Sequence, residues 1–452
     1  MVKAFRLPGE CFLQLQIEKL VYGGDGLTRL PADDKGPGKT IFLPLVIPGE
    51  TVEATLLESR PGFGRARLDQ VVTASPDRVE PSCPYFGRCG GCQYQHIDYP
   101  AQLRYKPEIL RETLRRTAKL ELECEIQVHA AEPWHYRNRT RMRIQTAPKF
   151  QLGYHRNASH QILPVDLCPI SSPLINDAIR AVWKLGNEGA VPSSAHGIQF
   201  FANHDDRHML VELHVRPGTD ARECLPFAAA LHKLVPAILG LTVFASSPAD
   251  DDSRQFAPLT SVHPEKGESI GDGELKYRVA DQDFRVSAGA FFQTNRLLVD
   301  ELARVAVGEH KGRAALDLYA GVGLFTLPLS LRFDEVIAVE ASPHSIADLR
   351  HNAAANVKSI RATTEAFLAE RGPKLAPDLV LVDPPRAGLG GKTARALGRM
   401  SVPRVTYVSC DPATLARDLR VLLESGFKVQ QAHLFDLFPQ TAHLETVLHL
   451  AR

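Results

Sequence analysis

No stretch of roughly 18 or more residues is uniformly apolar, so an ordinary membrane-crossing helix is excluded. The nearest approach, residues 225–246, is interrupted by His232, Lys233 and Pro236 and reads as a helix followed by a buried strand. The first ten residues lack the apolar core of a secretory signal, and a cytoplasmic location with no membrane partner is expected. An excess of one charge is also missing. Lys and Arg number 53 against 52 Asp and Glu, a formal net charge of +1. That balance leaves room for one basic face but excludes a chain that is basic throughout. There is no internal repeat. With 44% hydrophobic and 23% charged residues the composition is that of a globular protein rather than a disordered one. Its 452 residues exceed one ordinary core, and two to four domains are expected. Nothing calls for an oligomer, and a monomer is the expectation.

Residues 11–74 alternate apolar and polar side chains between glycine and proline turns. Leu13, Leu15 and Ile17 precede Gly23, Gly24 and Gly26, and further short runs follow at 40–47 and 51–57. This spacing suggests a small β-barrel of the oligonucleotide-binding kind, although a β domain with no ligand fits the same residues.

Eight cysteines occur, and in a large cytosolic chain they favour metal binding or catalysis over disulfides. Cys83, Cys89 and Cys92 fall within ten residues on a Gly- and Pro-rich loop, so three thiolates could converge on one centre. Zinc and an iron–sulfur cluster both accept four thiolates, and spacing does not decide between them. Of the remaining cysteines, Cys168 precedes a proline and is preferred as fourth ligand to Cys124, which sits among glutamates.

A predicted helix over 101–117 carries Arg104, Lys106, Arg111, Arg115 and Arg116. Next comes Tyr136-Arg-Asn-Arg-Thr-Arg-Met-Arg-Ile144. As a strand, its period of two would place Arg137, Arg139, Arg141 and Arg143 on one face. Aligned guanidiniums repel unless an anion covers them, and phosphate is one such anion, local carboxylates another. Tyr154, His155 and Arg156 extend this chemistry. The polar run 246–273 reads as a loop or exposed hairpin.

From Phe284 onward the pattern is βα alternation. Ala314–Leu318 reads as a strand, followed by a turn with Gly321 and Gly323 and then a helix. Glu340 ends the next strand, where a carboxylate can accept both hydroxyls of a ribose. A dinucleotide fingerprint would want glycine at 326, and the chain has Thr326. The pattern therefore suits S-adenosylmethionine, which has no pyrophosphate to cradle. Asp383-Pro384-Pro385-Arg386 closes another strand, its prolines leaving Asp383 little conformational freedom. Val405–Ser409 runs into Cys410-Asp411-Pro412 and then a helix. A lone cysteine there reads first as a packed thiol; its position at the sheet edge shared with Asp383 makes it a candidate nucleophile. The run 438–445 turns into a final strand and brings Glu445 near that edge.

Taken together, the Cys83/Cys89/Cys92 loop, Ser287–Asn295, Asp317–Gly323, Asp383–Arg386, Ser409–Pro412 and Phe438–Glu445 resemble the RNA (uracil-5-)-methyltransferase family along nearly the whole chain. The resemblance is to the 23S rRNA-type branch, which carries an N-terminal TRAM barrel and an iron–sulfur cluster. It implies an α/β protein: a TRAM or OB-like β-barrel over 1–74, a central α+β domain with cluster and RNA-binding surface over 75–283, and a Rossmann-like methyltransferase domain over 284–452. It implies Gln293, Tyr319, Glu340 and Asp383 at the methyl donor, S-adenosylmethionine. It implies Cys410 as nucleophile and Glu445 as base, and a [4Fe-4S] cluster on Cys83, Cys89, Cys92 and Cys168. Family members often have Asn where Asp411 stands. The partner implied is RNA, rRNA ahead of tRNA. Cytosine-5 methylation, by comparison, would want a second cysteine near Pro385, which is absent.

The chemistry demands these residue types. Carbon 5 of uracil is too weak a nucleophile to attack a sulfonium methyl group unaided. A thiolate adding to carbon 6 creates an enolate that can attack. A base must then remove the carbon 5 proton before the thiol can leave. The target must also come out of its stack or sit in a loop.

Overall fold

The computed structural model describes residues 4–7, 10–31, 38–247 and 267–452. The chain divides into two units: Met1–Thr113 with Phe438–His443, and Leu114–Leu437 with Leu444–Arg452.

The first unit holds one seven-stranded sheet. Its strands are β1 (Ala4–Leu7), β2 (Glu10–Gln16), β3 (Lys19–Leu20), β4 (Gly26–Leu30), β5 (Lys39–Leu43), β6 (Thr51–Arg60) and β7 (Phe63–Thr73), in the order β1-β2-β6-β7-β5-β4-β3. Alternation explains its core: Leu13 and Leu15 on β2, Ile41 and Leu43 on β5, and Val52 and Ala54 on β6 all point inward. A turn-rich stretch with Cys83, Cys89 and Cys92 follows, and then helix α1 (Tyr99–Thr113). The segment 438–443, remote in sequence, joins this unit. Gln440 O accepts from the backbone N–H groups of Gln93 and Tyr94, and Phe438 O accepts from Lys106 Nζ at 3.2 Å.

The second unit begins with β8 (Ile126–His129) and a seven-stranded central sheet. That sheet comprises β9 (Arg139–Gln145), β10 (Gln151–His155), β11 (Ile162–Pro164), β12 (Ala195–Ala202), β13 (Met209–Val215), β14 (Ile238–Ala245) and β15 (Glu268–Gly271), ordered β11-β10-β9-β12-β13-β14-β15. Helices α2 (Pro173–Asn187) and α3 (Leu225–Leu234) connect its strands. The helix and buried strand expected over 225–246 are α3 and β14. Most of the polar run 246–273 lies outside the described residues; its end forms β15. A hairpin, β16 (Glu274–Val279) and β17 (Gln282–Ser287), leads to the C-terminal sheet.

There βα alternation is realised. The order is β18 (Gly312–Leu318), α5 (Thr326–Ser330), β19 (Phe333–Glu340), α6 (Pro343–Asn352), β20 (Val357–Arg361), α7 (Thr364–Glu370), β21 (Leu379–Val382), α8 (Gly390–Arg399), β22 (Arg404–Ser409), α9 (Pro412–Glu424), β23 (Lys428–Phe435) and β24 (Glu445–Ala451); α4 (Val299–Val307) precedes β18. The sheet order is β20-β19-β18-β21-β22-β24-β23-β8. Strands β18 to β22 are parallel, and β21 is buried at all four residues, as a strand covered on both faces must be. β24 runs antiparallel between β22 and β23. Among the described residues no helix is long and apolar enough to cross a membrane.

Candidate active site

The chain runs outward from β18 through β19 to β20 and then returns to lay down β21 and β22 on the other side. The switch point is thus between β18 and β21, where such sheets open a crevice at their carboxyl ends. Register fixes what lines it. Leu318 pairs with Val339 on one side and Val382 on the other, so Tyr319, Glu340 and Asp383 emerge at one level. Val382 pairs with Tyr407, and Cys410 follows β22 one residue beyond Ser409. β24 runs the opposite way, so its first residue rather than its last reaches this edge. Ser409 pairs with Thr446, which places Glu445 beside the Cys410 end of β22.

These groups act on one another. Burial pushes the Cys410 thiol up, the Glu445 and Asp383 carboxylates push it further, and Arg386 pulls the other way. Glu445 is raised by burial first and then by Asp383, with Arg386 opposing. Asp383 is raised by burial and then by Asp317. Asp317 is itself buried and pushed up to about 7, although Thr326 Oγ1 donates to its Oδ2. Glu340, raised by burial, accepts from the backbone N–H groups of Gly321 at 2.9 Å and Ser342 at 2.6 Å. Acidic groups gathered at one sheet edge, each made reluctant to ionise, suit a ligand that brings positive charge.

The turn after β18 has an unusual backbone. Tyr319 adopts φ +65°, a conformation costly for a residue with a Cβ and typical of functional sites. Gly323 has φ +104°, and a Cβ there would stand 3.0 Å from both Leu327 and Leu349. Gln293, 7% exposed, lies on the loop following β17.

A clamp on α9 holds the Asp383–Arg386 loop. Thr414 Oγ1 donates to Arg386 O at 2.9 Å, Arg417 Nη2 to Ala387 O at 2.7 Å, and the backbone N–H of Leu389 to Asp418 Oδ2 at 2.6 Å. Tyr407 OH donates to the same carboxylate oxygen at 2.9 Å. Gly388, at φ +71°, passes so close that a Cβ would lie 2.4 Å from Asp418. The sequence does not single out this clamp; its only trace is the helical spacing of Thr414, Arg417 and Asp418. Asp411 caps α9, its Oδ1 accepting from Ala413 N at 3.0 Å and Thr414 N at 2.8 Å. An asparagine oxygen could accept the same two bonds.

The arginine run differs from its expected form. β9 begins at Arg139, and Arg137 stands outside it in isolated bridges to Ser171 and Asn295. Arg139 turns inward to a buried carboxylate, Glu212, at 3.1 Å, and Arg143 Nε donates to His155 Nε2 at 3.1 Å. A run of alternating arginines is therefore not one uniform phosphate-facing row.

Cys83, Cys89 and Cys92 are half-buried on a loop folded by bonds from Phe86 N to Cys83 O and from Cys89 N to Tyr85 O. Cys168 belongs to the other unit, its backbone N–H donating to Asn176 Oδ1 at 2.8 Å. Among the described residues no three His, Cys, Asp or Glu side chains form a group that would hold a metal ion.

A family model described as tRNA (Uracil-5-)-methyltransferase matches residues 98–452. The chain belongs to the RNA (uracil-5-)-methyltransferase family. It is an enzyme of that kind, and the strand-end residues above lie in its methyltransferase sheet. The chain is 33% identical to the 23S rRNA (uracil(1939)-C(5))-methyltransferase RlmD of Chromohalobacter salexigens, over 97% of this chain and 89% of that one. It is 31% identical to the protein of the same name from Shewanella amazonensis, over 96% and 94%. An uncharacterized RNA methyltransferase of Aquifex aeolicus is 31% identical over 96% and 97%. Among solved structures, the tRNA (uracil-54, C5)-methyltransferase of Pyrococcus abyssi in complex with S-adenosyl-L-homocysteine matches with a TM-score of 0.72 and 22% identity, over 97% of this chain and all of that one. That likeness establishes the shared methyltransferase fold.

Proposed function

We propose that the protein transfers a methyl group from S-adenosylmethionine to carbon 5 of a specific uridine in 23S rRNA, through a covalent bond between Cys410 and carbon 6. The observation that carries this is the meeting of Cys410, Asp383 and Glu445 at one sheet edge, where Asp383 strengthens the hold of Glu445 on a proton and both carboxylates strengthen that of Cys410. S-adenosylmethionine supplies an electrophilic methyl on a cationic sulfonium, and that charge suits the acidic edge. Tyr319, Glu340, Asp383 and Gln293 hold the donor, with Glu340 reaching the ribose hydroxyls. Arg386 favours the anionic forms of Cys410 and Glu445 and so opposes burial at the step that needs a thiolate. After methyl transfer, Glu445 takes the carbon 5 proton and the Cys410 sulfur leaves. The prolines at 384 and 385 and the α9 clamp keep Asp383 in place.

The rRNA assignment is supported by relatives named for 23S rRNA at 31–33% identity over almost the full chain. We further propose a TRAM or OB-like barrel over 1–74, a central domain with the cluster and the RNA-binding surface over 75–283, and a methyltransferase domain over 284–452. We propose a structural [4Fe-4S] cluster on Cys83, Cys89, Cys92 and Cys168, on the strength of the chain's resemblance to the cluster-bearing branch of the family. Anaerobic purification should then give brown protein; a colourless, zinc-loaded preparation would contradict it.

The deciding experiment uses 5-fluorouridine-substituted RNA with S-adenosylmethionine. Wild-type protein should form a stable protein–RNA adduct and Cys410→Ala none; no adduct with a verified target would end the covalent reading. Mapping 5-methyluridine in rRNA and tRNA with and without the protein identifies the substrate, and a mark appearing only in tRNA would overturn the rRNA assignment.

A further inference from the structure

The loop carrying Gln293 is held at two places, by the central sheet and by the residues that lead into β9. At its start, Arg139 Nη1 donates to Ala290 O at 2.6 Å, and the backbone N–H of Gly289 donates to Glu212 Oε1 at 3.0 Å. Arg139 and Glu212 are joined to each other at 3.1 Å. One ion pair thus grips a carbonyl and the preceding residue's amide. At the far end, Asn138 N donates to Thr294 O at 3.1 Å and Arg296 N to Tyr136 O at 3.1 Å. Between these holds Phe292 is packed, its ring 4.6 Å from Tyr277 and 6.3 Å from Phe201. Arg139 also lies 5.0 Å from the centroid of the Phe201 ring.

Side-chain exposure is only 11% for Arg139 and 5% for Glu212. A buried ion pair is a weak source of stability, because desolvation offsets most of the attraction. It is well suited to fixing direction: the guanidinium fork donates at set angles, here one arm to the carboxylate and one to the loop. A residue that must meet a ligand gains from such a hold, since small misplacements are costly.

We propose that Arg139 and Glu212 are positioning residues for the methyl-donor site, acting through residues 289–290 to set Gln293. This rests on the reading of Gln293 as a donor-binding residue.

The test measures S-adenosylhomocysteine affinity by calorimetry on full-length protein. The main variant is Arg139→Met with Glu212→Gln, which removes both charges at similar volume and leaves Gly289 a partner. It should unfold within a few degrees of wild type, bind S-adenosylhomocysteine on the order of tenfold more weakly, and bind an unmodified 23S rRNA transcript as wild type does. Unchanged S-adenosylhomocysteine affinity in the folded double variant overturns the proposal. So does weakened transcript binding with that affinity intact, which would return Arg139 to the phosphates. If the double variant does not fold, Arg139→Lys keeps the charge opposite Glu212 without the fork; weaker S-adenosylhomocysteine binding is expected, and wild-type affinity overturns the proposal. Gln293→Ala separates the two readings. Unchanged affinity there sinks the donor role of Gln293 and the proposal with it, whereas loss there but not in the double variant sinks the positioning role alone.

Discussion

Gln102 and Gln440 partner each other twice: Gln102 Nε2 donates to Gln440 Oε1 at 2.9 Å, and the backbone N–H of Gln440 donates to Gln102 Oε1 at 3.0 Å. Gln102 is fully buried on α1 and also donates to Tyr94 O and Ile97 O. Gln102→Leu keeps the bulk and leaves those partners unmet, at about 1–3 kcal/mol for a stranded buried group. Hydrogen exchange should show the Gln440 amide losing protection by on the order of tenfold or more. Unaltered protection would mean the segment is held by its other contacts.

Glu445→Gln should separate methyl transfer from release. The amide fills the same buried space without a charge but cannot take the carbon 5 proton. Methylated RNA should accumulate still bound to protein, and turnover should fall by about 10²-fold or more. Normal turnover would remove Glu445 from the mechanism.

Asp411 offers a paired comparison. Asp411→Asn keeps the oxygen that caps α9, so denaturant unfolding should change little, while Asp411→Ala should cost about 1 kcal/mol. The Asp411 carboxylate also raises the Cys410 thiol. Removing its charge in Asp411→Asn should therefore move the pH profile of adduct formation to lower pH. A profile moved upward would contradict the charge relationship.

Stability should depend on pH through Asp317. Its carboxyl is pushed from 3.8 up to about 7 by burial, and its Oδ1 has no hydrogen-bond partner. The folded state thus binds this proton more tightly than the unfolded state does. The stabilisation is complete below about pH 4 and is lost as pH rises towards 7, where folding must bury the anion. Asp317→Asn should flatten that part of the pH–stability curve and raise stability at pH 8. An unchanged slope between pH 4 and 7 would show that other groups govern it.

Much of the site could be read in advance because strand ends announce themselves. Val405–Ser409 and Leu379–Val382 are short buried runs that stop at Cys410 and Asp383, and parallel strands present such residues at one edge. Long-range pairings leave no such trace. Arg139 meets Glu212 and Gln102 meets Gln440 across 73 and 338 residues, and neither pair has a local signature. The arginine alternation was real in register, yet period alone does not tell an outward face from one that closes on a buried carboxylate. Ile126–His129 likewise gives no sign that it will become the edge of a sheet built mostly from residues beyond 312.

The placement of β24 bears on how the protein is made. It follows β22 and β23 in the chain yet lies between them. While the ribosome is still adding it, β22 and β23 have no strand to join them, and Glu445 has yet to arrive beside Cys410. The pairings that join β18 through β22 do not involve β24, so that part of the sheet does not wait for it. One inserted strand then joins β22 to β23 and, in the same act, carries Glu445 to the Cys410 end of the sheet.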